Sequence, residues 1–178
     1  MNKLSGIYAK ALFEIALEEK MDKQILEETR MLAETFSQTP EFIRVLDAPM
    51  IEHGEKIAVI DSTLKDQVCD YTLNFIKVMV DRKACTLLVE SFDEYENLYN
   101  KHYNIEKVVA TTAVPLNEEL TTKLREKLEK TTGKTILLQN RVDPEILGGV
   151  VLNSIPRDLV AFKVCGHFTG RLHYCKHD

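Results

Sequence analysis

The sequence predicts a mainly α protein, with an N-terminal six-helix bundle over residues 1–104 and a small α+β domain over residues 105–178. Three observations lead there. Residues 3–104 contain only Gly6, Gly54, Pro40 and Pro49 as breakers, so little interrupts a helical apolar repeat. After Asn104 the composition turns β-branched, beginning with Val108-Val109-Ala110-Thr111-Thr112-Ala113-Val114. Charge changes sign at the same place: residues 1–105 carry 12 basic and 19 acidic side chains, net −7, and the remainder 11 and 9, net +2.

Each element then has its own signal. Leu4 to Lys20 places apolar residues at helical spacing, and Asp22 is positioned to cap a second helix reaching Gln38. Thr39-Pro40-Glu41 is a cap followed by proline at the first helical position, opening a short helix that ends before Pro49. Ile51–Leu64, Val68–Arg82 and Ala84–Tyr103 supply three more helices, and their short connections favour an antiparallel bundle. In the second domain the strand Val108–Val114 stops at Pro115. Asn117 then caps a helix through Leu120, Leu124 and Leu128 to Thr132, with Gly133 as its stop. Ile136–Leu138 and Val150–Leu152 read as further strands.

Composition narrows the function. The chain has 178 residues, 44% apolar and 29% charged, with a net charge of −5. That sign gives no electrostatic footprint for phosphate backbones, so nucleic acid is not an expected partner. No apolar run approaches the roughly 20 residues that span a bilayer. Met1-Asn2-Lys3-Leu4-Ser5 opens no signal-peptide core, so a soluble, cytosol-side protein is expected. Cys69, Cys85, Cys165 and Cys175 then read as reduced thiols, and the chain carries no Asn-x-Ser/Thr sequon.

Several motifs reduce to structure. Gly133-Lys134-Thr135 resembles the end of a phosphate-binding loop, but Leu128 stands where the earlier glycine belongs, and a helix rather than a strand precedes it. Cys165, His167, His173, Cys175 and His177 crowd the tail, yet their single-residue separations do not match structural zinc pairs. No metal or cofactor is expected. Ser62, His53 and Asp61 assemble a catalytic triad only on paper, because no nucleophile-elbow glycines surround the serine. Glu27-Glu28 and Glu118-Glu119 sit near helix starts, where the helix dipole accounts for carboxylates.

Two helices are more apolar than one buried face requires. Stepping about 100° per residue, the first places Leu4, Tyr8, Ala11 and Ile15 on one flank and Leu12, Ala16, Ala9 and Phe13 around the far side. In Val68–Asp81 a narrow polar wedge holds Asp70, Asn74, Lys77 and Asp81, while Cys69, Leu73, Phe75, Ile76, Val78, Met79 and Val80 fill most of the rest. Either both helices are central in the bundle, or their surplus faces line a groove for a partner helix. The groove expectation names Tyr8, Ala11 and Ile15 from the first helix and Ile76, Met79 and Val80 from the fifth. It also puts the two helices side by side.

The chain resembles the δ-subunit family of the F-type ATP synthase, whose mitochondrial relative is the oligomycin-sensitivity-conferral protein. Tyr8-Ala9-Lys10-Ala11-Leu12-Phe13 resembles that family's opening helix, and Asn74-Phe75-Ile76-Lys77-Val78-Met79 with Asp81-Arg82-Lys83 its fifth. Val142-Asp143-Pro144-Glu145-Ile146-Leu147-Gly148-Gly149-Val150-Val151-Leu152 is the most specific match, and Pro115-Leu116 and Thr132-Gly133-Lys134 fall in the expected order. The likeness covers residues 3–153. Residues 154–178 diverge: Ser154-Ile155-Pro156-Arg157 replaces a glycine-bearing turn, and Cys165-Gly166-His167 stands where the family has Asp-Gly-Ser.

The resemblance implies a non-catalytic peripheral-stalk subunit, or stator, of a proton- or sodium-translocating synthase, linking the catalytic head to the membrane sector. It implies that the helical domain binds N-terminal helices of α subunits and that the α+β domain engages b-type stalk subunits. The implied address is the cytoplasmic face of a bacterial cell membrane, reached only through the complex. The alternative is a free-standing helical adaptor or regulator that binds an amphipathic peptide helix.

Overall fold

The computed structural model describes residues 3–143, 150–155 and 162–164. The Cys/His tail and most of the divergent segment lie outside the described residues. The chain divides into two compact units, Met1–Asn100 and Lys101–Asp178.

The first unit is helical: α1 (Lys3–Glu18), α2 (Asp22–Gln38), α3 (Pro40–Asp47), α4 (His53–Leu64), α5 (Asp70–Asp81), and α6 (Leu88–His102), which runs two residues past the unit boundary. A 3-10 turn at Cys85–Leu87 leads into α6. Pro40 opens α3 as its first residue, where a missing N–H costs nothing. Ala48 takes the extended conformation that the following proline favours, and α3 ends there. Lys20 and Lys83, both left-handed at φ 57° and 53°, stand in the turns that follow α1 and α5.

Two apolar clusters hold these helices. One gathers Leu32 and Phe36 of α2, Ile60 and Leu64 of α4, Leu73, Ile76, Met79 and Val80 of α5, and Leu88 and Phe92 of α6. The other joins Ala9, Leu12, Phe13 and Ala16 of α1 to Ile25 and Leu26 of α2 and Tyr95 of α6. Tyr95 is fully buried, edge-on to Phe13 at 5.5 Å, and its hydroxyl donates to the Asp22 carbonyl at 3.0 Å. Burial of a Tyr without a partner for its hydroxyl would be costly, so this bond accompanies the packing.

A buried carboxylate links α2 to the start of α5. Glu28, buried on α2, accepts from the Cys69 backbone N–H at 3.0 Å through Oε1 and from Thr72 Oγ1 at 2.7 Å through Oε2. Gln24 steadies the same carboxylate at 2.9 Å. Cys69 is the N-cap residue of α5 and makes no side-chain cap of its own. A capping box ordinarily draws its glutamate from the third helical position; here that position is Thr72, and the glutamate comes from another helix. Glu28 therefore does not serve the start of its own helix, as the dipole argument anticipates, but the start of α5.

The second unit is a four-stranded mixed sheet in the order β2-β1-β3-β4, built from β1 (Ile105–Thr112), β2 (Thr135–Val142), β3 (Val150–Ile155) and β4 (Phe162–Val164), with α7 (Glu118–Thr132) between β1 and β2. β1 runs parallel to β2 and antiparallel to β3. A parallel pair needs a crossover, which α7 supplies. Val108 and Ala110 of β1, Ile136 of β2 and Leu152 of β3 pack on Leu124 and Leu128 of α7. Asn117 caps α7, its Oδ1 accepting from the Leu120 N–H at 2.8 Å, and Gly133 ends it at φ 68°. Both are where the sequence puts them.

The strands differ from their sequence limits. β1 begins three residues earlier than the β-branched run and stops at Thr112, leaving Val114 exposed beside Pro115. β2 extends through Gln139-Asn140-Arg141, polar residues that the sequence reading leaves out. Their pairing with Val109, Ala110 and Thr111 keeps them in the sheet. Asn140 also ties down the turn after β1. Its Nδ2 donates to the Ala110 carbonyl and to Thr112 Oγ1, and its Oδ1 accepts from the Leu116 N–H at 3.2 Å. β4 lies in the divergent segment, just ahead of Cys165.

Candidate partner-helix site

α1 separates its apolar residues into two faces. Ser5, Ala9, Leu12, Phe13 and Ala16 are buried. On the opposite side Ile7 is 63% and Ile15 42% exposed, Ala11 is exposed, Leu4 is half exposed, and Tyr8 is half-buried. These surface residues recur at spacings of three and four, which on a helix makes one continuous stripe. Tyr8, Ala11 and Ile15 therefore lie on the surface of α1 as the groove expectation requires.

The α5 half of that expectation is corrected. Ile76 and Met79 are fully buried and Val80 is 6% exposed. Their side chains meet Ile60 and Leu64 of α4 and Leu88 and Phe92 of α6 inside the larger cluster. A side chain without solvent contact cannot line a surface groove. The accessible apolar face of α5 is instead Tyr71, Phe75 and Val78, the first two half-buried and the third 45% exposed. Their spacing of four and three is as regular as that of the buried set. The sequence signal for them was the apolar arc itself, which did not show which part α4 and α6 would cover.

α1 and α5 do pack against each other. Phe75 touches both apolar clusters, and Tyr71 packs against the one that holds the buried face of α1. Tyr71 and Leu17, near the end of α1, pack against the same cluster, placing the first turn of α5 near the C-terminal end of α1. Partial desolvation first, then the charge on Glu19, pushes the Tyr71 phenol above its ordinary value. Tyr8 packs against the cluster containing Met79 and Val80. The surface stripe of α1 and the Tyr71-Phe75-Val78 face of α5 are thus neighbours, with Ala11 presenting only a methyl group where an incoming backbone would approach.

Other groupings dissolve in three dimensions. Ser62 Oγ donates to the Val59 carbonyl, Asp61 pairs with Lys77 at 2.5 Å, and His53 Nε2 pairs with Asp81 at 3.3 Å, so the paper triad does not assemble. His53 and Asp81 line a cavity of about 230 Å³ with Asp47, Lys56 and Lys83, whose charges largely offset one another. Gly133-Lys134-Thr135 joins the end of α7 to β2, and Lys134 pairs with Glu106 at 3.2 Å. Among the described residues no three His, Cys, Asp or Glu side chains gather closely enough to hold a metal ion, and no helix is long and apolar enough to cross a membrane.

Comparison with known proteins agrees with the motifs. The family model for the ATP synthase delta (OSCP) subunit matches residues 4–155. ATP synthase subunit delta of Alkaliphilus oremlandii is 36% identical over 149 residues, covering 84% of this chain and 83% of that protein. The subunit delta of Parabacteroides distasonis is 34% identical over 146 residues, covering 82% of this chain and 81% of that protein. Among solved structures, a chain of the Toxoplasma gondii mitochondrial ATP synthase hexamer has the same fold, with TM-score 0.68 at 18% identity over 85% of this chain and 84% of that one. A chain of the Polytomella F-ATP synthase aligns with TM-score 0.51 at 25% identity, covering 57% of this chain and 90% of its own length. The chain belongs to the ATP synthase delta (OSCP) subunit family.

Proposed function

We propose that this chain is a stator subunit in the peripheral stalk of an F-type ATP synthase. Its helical unit, read as a six-helix bundle, holds the catalytic head through N-terminal helices of α subunits, and its α+β unit engages b-type stalk subunits. Torque on a rotor acts back on the head, and a static link to the membrane sector stops the head from turning with it. The work is mechanical, so the subunit needs an adhesive surface rather than an active site. The observation that carries the reading is the apolar stripe of α1 left at the surface beside the Tyr71-Phe75-Val78 face of α5. An amphipathic helix laid there would bury residues at i, i+3, i+4 and i+7 spacing. Translocation of protons or sodium ions belongs to the membrane sector, and the chain sits at its cytoplasmic face through the complex alone.

Purification from the native cell in mild detergent tests this. The tagged chain brings α and b subunits with it, and Ala11→Asp loses α while retaining b. Recovery of the chain without either partner, or nucleotide hydrolysis by the purified chain alone, would refute the stator reading. A free-standing adaptor predicts an unrelated peptide in place of both.

A further inference from the structure

α7 packs on one face of the sheet, against Val108 and Ala110 of β1, Ile136 of β2 and Leu152 of β3. Side chains alternate along a strand, so the residues between these belong to the opposite face. There Leu137 is 45% exposed, Gln139, Arg141 and Asn153 are exposed, and Val109 and Val151 are half-buried. A parallel pair such as β1 and β2 is ordinarily covered on both faces, which leaves this one short of a layer.

The pairing register gives that face a pattern no single strand records. Val109 is level with Gln139 and Asn153, Leu137 with Lys107, and Val151 with Thr111. Leu137, Val109 and Val151 thus step one strand across and two residues along each time. They form an oblique apolar line about 16 Å long, the length of a helix of about three turns. Lys107 lies on one side of the line, beside Leu137, and Arg141, level with Thr111, lies on the other. Glu106, the carboxylate of β1, is on the α7 face instead, buried and paired with Lys134 at 3.2 Å. β2 and β3 carry no carboxylate, and Asp143 follows the end of β2.

Resting on the reading that the α+β unit engages a stalk partner, we propose that its open sheet face receives an amphipathic helix whose apolar stripe is flanked on both sides by glutamate or aspartate. The oblique line gives the stripe its contact, and Lys107 and Arg141 meet the two acidic flanks. A helix with lysine flanks would set like charges together on both sides, so the same two cations exclude it. Two cations are too few to hold a phosphate backbone, and the chain's net charge of −5 opposes one.

The test uses the full chain, ¹⁵N-labelled, and two synthetic helical peptides with the same leucine stripe, flanked by glutamates in the first and by lysines in the second. The glutamate peptide shifts the amides of Val109, Leu137, Arg141 and Val151 and leaves those of Lys123 and Lys127, exposed on α7, in place. It binds roughly tenfold tighter than the lysine peptide at low salt, and the margin narrows as salt screens the charges. Arg141→Glu, at an exposed site, weakens the glutamate peptide about fivefold and strengthens the lysine peptide, while Arg141→Lys keeps the parent order. Lys127→Glu, the same charge change on α7, leaves both affinities within about twofold. In mild-detergent purification Lys107→Glu with Arg141→Glu loses b subunits and retains α. Equal affinity of the two peptides, failure of both to bind, or shifts centred on α7 or the helical unit overturns the proposal, and the stator reading stands if the parent still brings b. A parent chain that brings neither α nor b refutes the stator reading on its own, and the titration then decides the sheet face by itself.

Discussion

α1 and α5 look alike in sequence and are used in opposite ways. Both carry more apolar residues than a single buried face needs. α1 buries one face with small and aromatic residues and leaves Ile7, Ala11 and Ile15 at the surface. α5 packs Leu73, Ile76, Met79 and Val80 into the cluster shared with α4 and α6, and of its apolar residues only Val78 is exposed. An apolar surplus therefore has two meanings, and the neighbours of the helix decide which applies. A helix with packed neighbours on two sides spends its surplus on the core; one with fewer neighbours offers it to a partner.

The sharpest way to break this comparison is a carboxylate on each helix. Met79→Asp buries an uncompensated charge and costs about 4 kcal/mol or more, enough to unfold most of the first unit. Ile15→Asp, at an exposed site, changes stability by only about 0.5 kcal/mol. Circular-dichroism melts of the two variants check it, and equal melting temperatures would erase the distinction. The seat of α5 is the next target. Glu28→Ala strands the Cys69 N–H and the Thr72 hydroxyl and costs about 2–3 kcal/mol by urea unfolding. A change below about 0.5 kcal/mol would mean that water replaces the carboxylate freely.

The corrected face of α5 gives a smaller effect, on binding rather than folding. Val78→Asp weakens capture of an α-subunit N-terminal peptide by roughly tenfold while the melting temperature stays put. Unchanged affinity by calorimetry would confine the site to α1. The smallest effect concerns pH. Cys85 follows α5, buried, and its thiol is pushed above the ordinary 9.0 by burial first and by the Asp47 carboxylate second. As pH rises through 9.0 the unfolded thiol loses its proton while the folded one keeps it, so stability falls there. Cys85→Ser, with pH-dependent melts beside the parent, isolates this slope.

What the sequence made legible was mostly local. Pro40, Asn117 and Gly133 act through their own backbone geometry, and each stands at the boundary it marks. The surface position of Ala11 and Ile15, with Tyr8 half-buried beside them, was also within reach, because a stripe opposite a buried stripe is visible in a single helix. The surface of α5 was not. Whether Ile76 or Val78 is covered depends on where α4 and α6 lie, and no periodicity within α5 records that. Asn140 and Glu28 escaped for the same reason: the bonds they make reach residues 24 to 44 positions away. The polar continuation of the edge strand β2, Gln139-Asn140-Arg141, escaped because such residues read as a loop until a partner strand holds them.

The imported cap of α5 also bears on the order in which the first unit folds. Most helices can begin with the residues at hand, since the cap and the turn it serves are neighbours in sequence. α5 cannot complete its start in this way, because the carboxylate that accepts from Cys69 arrives 41 residues away in sequence. Until α2 docks, the first turn of α5 frays, and closing that long loop is slower than forming either helix. The Cys69 amide thus acts as a clock for the meeting of two helices: pulse-labelled during refolding, it becomes protected when α2 and α5 join, later than amides in the middle of either.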